Sequence, residues 1–231
     1  KAYKKKPKLV IMVDCGSTSV EAINFLNKNN IKSIIIDHHE INYPYPKSEI
    51  IINPKKINGY EKYNYLCATT LTYFFIDIVK EKIKCNFMLS KFLIYVLLAS
   101  VCDVMPLRKV NRQIALHAIN EFDIKKNIAF NTLFQISDKN HKITIDDLGY
   151  FIGPIINAGG RLGYSDFGTK LLSSDNPNIV KNNSIKLIKL NNKRKEIEKK
   201  IISEIDFKKI RDENKNVIIY YKKNINEGII G

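Results

Sequence analysis

The stretch "KLVIMVDCGSTSVEAINFLNKNNIKSIIIDHHE", residues 8–40, decides the fold. Short apolar runs at residues 8–14 and 32–37 each end in an aspartate and are typical of buried strands. Between them, the apolar side chains of residues 17–30 have helical spacing. A strand, a helix and a strand within about thirty residues form a βαβ unit with parallel strands. The sequence therefore predicts an α/β protein with a parallel sheet.

The start of this helix carries a capping signal. Thr18 and Glu21 have the spacing of a capping box, in which each side chain accepts a hydrogen bond from the other residue's backbone. Val20, Ile23 and Leu26 fall on one face of the predicted helix.

Polar side chains that can bind a metal ion follow both strands. Asp14 follows the first apolar run, and Asp37, His38 and His39 follow the second. Ligands of parallel sheets bind beyond the carboxyl ends of the strands, so we expect both groups at one edge. Asp103 ends a strongly apolar segment, where a buried carboxylate at a helix carboxyl end is disfavoured unless a cation lies beside it.

The chemistry of these side chains suits Mn²⁺ or Mg²⁺, and the presence of histidine favours Mn²⁺. Two such ions, about 3.5–4 Å apart, can activate a water and clamp a phosphoryl group for in-line attack. Each residue alone is weakly diagnostic, because a strand-end aspartate often caps a turn and a histidine pair is more often a surface feature. The predicted metal site depends on their convergence.

A glycine-rich patch covers residues 149–168, with Asn157 and Arg161 among its glycines. Glycines allow a backbone to approach a ligand closely, and arginine binds phosphate with a two-pronged geometry. The string "GPIINAGGRLG" matches no standard phosphate loop, so a plain mobile loop is the competing interpretation.

The remaining pattern predicts mostly helices. We expect a short strand at 49–52 within a proline-rich connection, helices at 66–83 and 92–101, the latter buried and ending before Pro106, and more helices in 107–150 with a turn near 137–141. A long lysine-rich amphipathic helix covers 176–210, and a new β pattern starts near Asn216. The predicted apolar stripe of this long helix consists of Ile185, Ile188, Ile197, Ile201, Ile202 and Ile205.

The net charge of +15 suggests a polyanionic partner such as nucleic acid. Biased coding composition is the alternative, because lysine, asparagine and isoleucine are all abundant and only five of the basic residues are arginine. The lysines of the long helix are equally compatible with a solvated face. No apolar run has the length of a membrane span, and four scattered cysteines without zinc spacing favour reduced thiols in a cytoplasmic protein.

Five motifs occur in the order seen in the DHH phosphoesterase superfamily, namely "VDCGS", "IDHHE", "LLASVCDVMPL", "GPIINAGGRLG" and "LNNKRKEIEKK". Within it, "DVMPL" and "INAGGRLG" resemble the RecJ family of single-strand-specific 5′→3′ DNA exonucleases. The resemblance implies a doubly wound DHH domain (1–182), a connecting helix (183–210) and the start of a second α/β domain (211–231).

The resemblance also implies the function and its residues. It implies a hydrolase of single-stranded DNA with two Mn²⁺ or Mg²⁺ ions, acting in DNA repair and recombination with single-strand-binding protein and helicase. Asp14, His38 and Asp103 would be metal ligands, and His39, Asp37 and Arg161 would be catalytic. Asn157, Gly159, Gly160 and Arg161 would bind the substrate.

Four departures from the family pattern qualify this expectation. The family's D-x-D pair would precede Lys1, Ile155 stands where the family has Arg, Ile225-Asn226 stand where it has Trp-His, and the usual glycines near "LCATT" are missing. We therefore expect the chain on its own to be inactive. The rival interpretations are a phosphodiesterase for short oligonucleotides or cyclic dinucleotides, and a non-catalytic remnant that binds nucleic acid.

Overall fold

The structure is a computed structural model that describes residues 7–56 and 59–205. It divides into two compact units, Lys1–Phe122 and Asp123–Gly231, and each has buried side chains of its own. Within the described residues, no helix is both long enough and apolar enough to cross a membrane. The predicted second domain at 211–231, with Ile225 and Asn226, and the last residues of the predicted connecting helix, 206–210, lie outside the described residues.

The first unit contains strands β1 (Leu9–Val13), β2 (Lys32–Ile36) and β3 (Ile50–Ile52) and helices α1 (Val20–Lys28), α2 (Ala68–Lys82), α3 (Leu93–Cys102) and α4 (Lys109–Glu121). Short 3-10 turns lie at Glu61–Tyr63 and Leu89–Phe92. The second unit contains a 3-10 turn (Ile124–Lys126), α5 (Ile128–Ile136), a π-helical turn (Asp147–Ile152), α6 (Gly153–Arg161), α7 (Asp166–Ser173) and α8 (Pro177–Ser203).

The described strands form a parallel sheet of order β1-β2-β3, which confirms the predicted α/β class. Its register pairs Leu9 with Lys32 and Ile34 with Ile50. Alternate side chains of β1 face opposite sides of the sheet. One side packs against α1 in a core cluster made of Ile23, Leu26, Ile31 and Ile35, with Val10, Met12 and Ile51 packed against it. The βαβ unit predicted from residues 8–40 is therefore present.

The predicted capping box at Thr18 and Glu21 is wrong. Helix α1 begins at Val20 with Ser19 as its N-cap, and no side chain caps it. The helix starts one residue later than this capping box requires, and the backbone N–H of Val20 donates to the Thr18 carbonyl at 3.0 Å. In the preceding turn, the backbone N–H of Ser17 donates to the Asp37 carboxylate at 3.0 Å. The segment before the helix is thus held by the neighbouring strand end instead of by its own side chains.

Helices α2, α3 and α4 complete the first unit. Helix α3 is the predicted apolar helix, and it buries Ile94, Val96, Leu97 and Leu98 among its residues. It packs against both α2 and α4. Asn111 of α4 donates to the carbonyl oxygen of Tyr65 at 2.6 Å, which ties α4 to the segment before α2.

The second unit is built around α8, which packs against α5, α6 and α7. This helix confirms the long helix predicted from residue 176, and it extends from Pro177 to Ser203. Its buried face differs from the predicted isoleucine stripe, because the buried side chains are Val180, Asn183, Ser184, Leu187 and Asn191, whereas Ile202 is 49% exposed. The domain boundaries 1–182, 183–210 and 211–231 stay a prediction.

Candidate metal centre

The site lies at the carboxyl edge of the sheet, where Asp14 follows β1 and Asp37 follows β2. Backbone pairing continues past both strands, because Asp14 N–H donates to the Ile36 carbonyl and Asp37 N–H to the Ile52 carbonyl, both at 2.9 Å. The sheet hydrogen bonds therefore fix both aspartates at one edge, as the sequence predicts.

The turn after β1 contains two residues with positive φ, Asp14 and Gly16. Asp14 has a φ of 61°, a left-handed conformation that non-glycine residues rarely adopt. Gly16 follows with a φ of 113°, and a Cβ there would lie 3.1 Å from Met12 Sδ and 3.2 Å from an Ile35 methylene. Only glycine fits this turn without displacing its neighbours, and backbone strain of the kind seen at Asp14 is frequent at functional sites.

His38 lies between two carboxylates that come from different elements. Its Nε2 atom is 3.3 Å from Asp14 Oδ1 and 3.9 Å from Asp103 Oδ2. Among the described residues, Asp14, His38 and His39 each place one possible ligand atom within 4.8 Å of the other two, a spacing that could hold a metal ion. Asp103 borders this group through His38. The His38 side chain is 13% exposed, whereas Asp14 is 54% exposed. The cluster is accordingly fixed from below and open to solvent.

Asp103 is the C-cap of α3. The helix stops there because Val104 adopts a φ of 54° and donates its N–H to the Val101 carbonyl, an unusual backbone for a β-branched residue. Burial, and then the charge of Asp14, raise the pKa of Asp103 above its ordinary value. The side chain is nevertheless 37% exposed, so it is less buried than the sequence predicts. A bound cation would relieve its repulsion with Asp14.

Asp37 is the buried member of the cluster, with 1% of its side chain exposed. Its Oδ1 accepts hydrogen bonds from His38 N–H at 2.8 Å and from His39 N–H at 3.3 Å, and its Oδ2 accepts from Ser17. Burial acts against ionisation, but the hydrogen bonds from Ser17 and His39 outweigh it and hold the pKa of Asp37 well below its ordinary value. Asp37 therefore stays ionised and holds its neighbours in place.

His39 is oriented by this buried carboxylate. Its Nδ1 lies 2.7 Å from Asp37 Oδ1, and this hydrogen bond is the main reason that the pKa of His39 is raised. The ring packs edge-on against His38, with centroids 4.7 Å apart, and 60% of the side chain is exposed. A carboxylate-bound imidazole that is open to solvent can donate a proton or a hydrogen bond to a ligand.

Asn53 is a functional candidate that sequence reasoning missed. It follows β3, is 5% exposed, and donates both to Ser17 Oγ at 2.8 Å and to the His39 carbonyl at 3.0 Å. Asn53 thus links the turns after β1 and β2 from beneath the site. Its position in the sequence could have identified it, because Asn53, like Asp14 and Asp37, is the first polar residue after a strand.

The predicted substrate-binding residues lie on α6 in the second unit. The glycine-rich stretch is helical there, so the interpretation as a plain loop is wrong. Asn157 and Gly160 are exposed and Arg161 is partly buried. Gly159 is buried, and a Cβ there would lie 2.6 Å from the Tyr164 carbonyl oxygen. Its lack of a side chain serves helix packing.

Comparisons with known proteins agree with this architecture. The model of the DHH family, N-terminal domain, matches residues 1–101. The chain is 29% identical to the single-stranded-DNA-specific exonuclease RecJ of Haemophilus influenzae over 209 residues, which is 85% of this chain and 36% of that protein. RecJ of Escherichia coli is 29% identical over 212 residues, with the same two coverages. The chain thus spans about a third of the length of these relatives.

The same family provides a solved structure of this fold. RecJ of Thermus thermophilus in complex with Mn²⁺ superposes with a TM-score of 0.78 at 19% identity, over 88% of this chain and 31% of that one. At this identity the match establishes a shared fold. It confirms the α/β architecture over nearly all of the chain.

Proposed function

Because the chain is a DHH protein of RecJ type, we propose that it forms the metal-binding core of an exonuclease for single-stranded DNA. One observation carries the proposal: Asp14, His38 and Asp103 come from three separate elements, yet they lie together. Carboxylate oxygens of Asp14 and Asp103 are 3.3 Å and 3.9 Å from His38 Nε2. The RecJ relatives, which are single-stranded-DNA-specific exonucleases by name, support the substrate class.

Asp14, His38 and Asp103 would hold one Mn²⁺ or Mg²⁺ ion. The carboxylate and imidazole donors suit these ions, and the RecJ structures with Mn²⁺ and Mg²⁺ support the choice. When bound, such an ion supplies Lewis-acid polarisation of a phosphoryl oxygen and activation of water. A second ion needs carboxylates beyond these three ligands, and in the family the D-x-D motif supplies them.

His39 would stabilise the negative charge that develops on the phosphoryl oxygens. Its hydrogen bond with Asp37 raises the pKa of the ring, so the protonated form that can donate to an oxyanion is favoured. Asp37 is buried and engaged by backbone N–H groups, so its part is to position His39 rather than to contact the substrate.

Asn157, Gly160 and Arg161 would contact the DNA backbone. Arg161 ends α6, and its guanidinium can bind a phosphate through two parallel hydrogen bonds. The 5′→3′ direction, the role in DNA repair and recombination, and association with single-strand-binding protein and helicase follow from the family resemblance and belong to the same proposal.

The test is hydrolysis of labelled single-stranded DNA by the intact gene product with Mn²⁺. Asp103→Asn removes one charged ligand, and the rate should fall by about 100-fold or more, because changes to outer-shell residues already cost 10–100-fold. Asp175→Asn changes an exposed aspartate in the second unit and should leave the rate unchanged.

Unchanged hydrolysis by the Asp103→Asn variant would overturn the metal assignment. Hydrolysis of dinucleotides with poor activity on long strands would favour the phosphodiesterase alternative. DNA binding that depends steeply on salt and ignores Mn²⁺, without hydrolysis, would favour a non-catalytic binding protein.

A further inference from the structure

An aromatic pair lies on the surface of the second unit, in the segment that joins α6 to α7. The rings of Tyr164 and Phe167 are stacked, with centroids 5.4 Å apart and planes inclined by 5°. Phe167 is partly buried, whereas Tyr164 is 50% exposed. Offset stacks of this kind are a favoured arrangement of aromatic side chains. Here the stack ends in a ring that solvent reaches.

The backbone holds this outer ring in place. Tyr164 N–H donates to the Gly159 carbonyl at 2.7 Å, and Gly163 supplies the turn with a φ of +86°. The close approach at Gly159 needs a residue without a side chain, as described above. Helix α7 is also close to α6, because a Cβ on Gly168 would lie 3.0 Å from Ile156 Cγ2. The pair is therefore preorganised, and a ligand that stacks on it would pay little ordering entropy.

A lysine lies against the pair, and further basic residues are near it in sequence. Lys186 Nζ lies 5.1 Å from the centroid of the Phe167 ring, a cation–π distance. Arg161 precedes Tyr164 by three residues, and Asp166 is paired with Lys170. Helix α8, which carries Lys186, has eight basic and two acidic residues between Pro177 and Ser203. The surroundings match a polyanion that also presents flat rings.

We propose that the Tyr164–Phe167 pair is a stacking platform for an unpaired base of a nucleic-acid strand, with Lys186 and Arg161 placed for the adjoining phosphates. Stacked aromatic side chains within a basic surface are the combination that binds single strands without sequence preference. This inference rests on the proposed function, since it names how the second unit would hold the same strand.

The experiment compares oligonucleotides of about 12 nucleotides, within the span of known single-strand sites. One is oligo(dT) and the other is an abasic strand with the same phosphates, and binding to the full chain is followed by fluorescence anisotropy. Tyr164→Leu keeps apolar bulk but loses the π face, so the affinity for oligo(dT) should fall about tenfold. Binding of the abasic strand should not change.

Two control variants make the result specific. Tyr164→Phe retains the ring and should bind oligo(dT) within about twofold of the original chain, since the π face is the part that stacks. Tyr150→Leu changes a tyrosine that is 83% exposed on the π-helical turn and should have no effect. Thermal unfolding of each variant shows whether it is folded.

The inference is overturned if Tyr164→Leu binds oligo(dT) normally, or loses affinity for both strands equally, or if the original chain prefers neither strand. Its failure is distinct from failure of the proposed function. Normal binding by Tyr164→Leu together with Mn²⁺-dependent hydrolysis by the gene product would refute the platform alone, whereas base-dependent binding without hydrolysis would refute the nuclease alone.

Discussion

Replacement of Asp37 by asparagine tests how the site is supported. The carboxylate accepts hydrogen bonds from His38 N–H and His39 Nδ1 through one oxygen and from Ser17 N–H through the other. Asparagine has one carbonyl oxygen, so its NH₂ group must face a backbone N–H and one buried donor loses its partner. Lost charge-assisted hydrogen bonds and a buried unsatisfied donor should together lower the free energy of unfolding by about 2–4 kcal/mol.

The same substitution should weaken Mn²⁺ binding. Asp37 does not reach the proposed ion, but it holds the backbone of His38, and changes of this kind cost about 10–100-fold in metal affinity. Stability is measured by urea denaturation, and Mn²⁺ affinity by titration of the electron paramagnetic resonance signal of free Mn²⁺.

Asp147→Asn is the matched control. Asp147 is also buried and accepts hydrogen bonds from Lys139 Nζ, from Thr144 and from His141 Nε2, but it lies in the second unit. This variant should lose similar stability and keep its Mn²⁺ affinity. The positioning role of Asp37 is refuted if both variants lose Mn²⁺ affinity equally, or if Asp37→Asn binds Mn²⁺ as the original chain does.

Three further predictions concern other residues. Burial opposes ionisation of Asp147, but hydrogen bonds from Lys139 and Thr144 lower its pKa to about 2. Its stabilising effect should therefore be complete above about pH 4 and disappear toward pH 2. A difference in unfolding free energy between Asp147→Asn and the original chain that does not shrink in acid would contradict this. Asn53→Leu should lower stability by about 1–3 kcal/mol and weaken Mn²⁺ binding, because Ser17 and His39 lose their link; unchanged Mn²⁺ affinity in the titration would show that the link is irrelevant to the site. Gly159→Ala should cost about 1–3 kcal/mol against the Tyr164 carbonyl, whereas Gly160→Ala, with nothing within 4 Å, should be neutral or gain up to about 1 kcal/mol in urea denaturation; equal effects of the two would be incompatible with the observed packing.

Much of the first unit could be predicted because its information is local. Apolar runs that end in aspartate indicate strands, and the βαβ rule places Asp14 and Asp37 at one edge. Asp103 was found through the cost of a carboxylate at a helix end, and it does lie 3.9 Å from His38. Asn53 was missed because an asparagine followed by proline looks like an ordinary turn, and its two hydrogen bonds join residues distant in sequence.

Other features depend on tertiary contacts that periodicity does not contain. The capping box failed because α1 starts one residue later than Thr18 and Glu21 require, after a turn that Asp37 of the next strand end holds through the N–H of Ser17. The apolar stripe of α8 failed because the buried face includes Ser184 and Asn191, so burial there follows the neighbouring helices rather than hydrophobicity. The glycines of α6 suggest a loop, yet Gly159 is the residue that allows the chain to close against Tyr164.

The position of a bound ion tests the proposed metal centre most directly. Crystals of the chain grown with Mn²⁺ should show an anomalous peak within about 2.5 Å of His38 Nε2 and of a carboxylate oxygen of both Asp14 and Asp103. The peak should be absent in crystals of Asp103→Asn at the same Mn²⁺ concentration. A peak held by other side chains, or none at this edge of the sheet, would contradict the account.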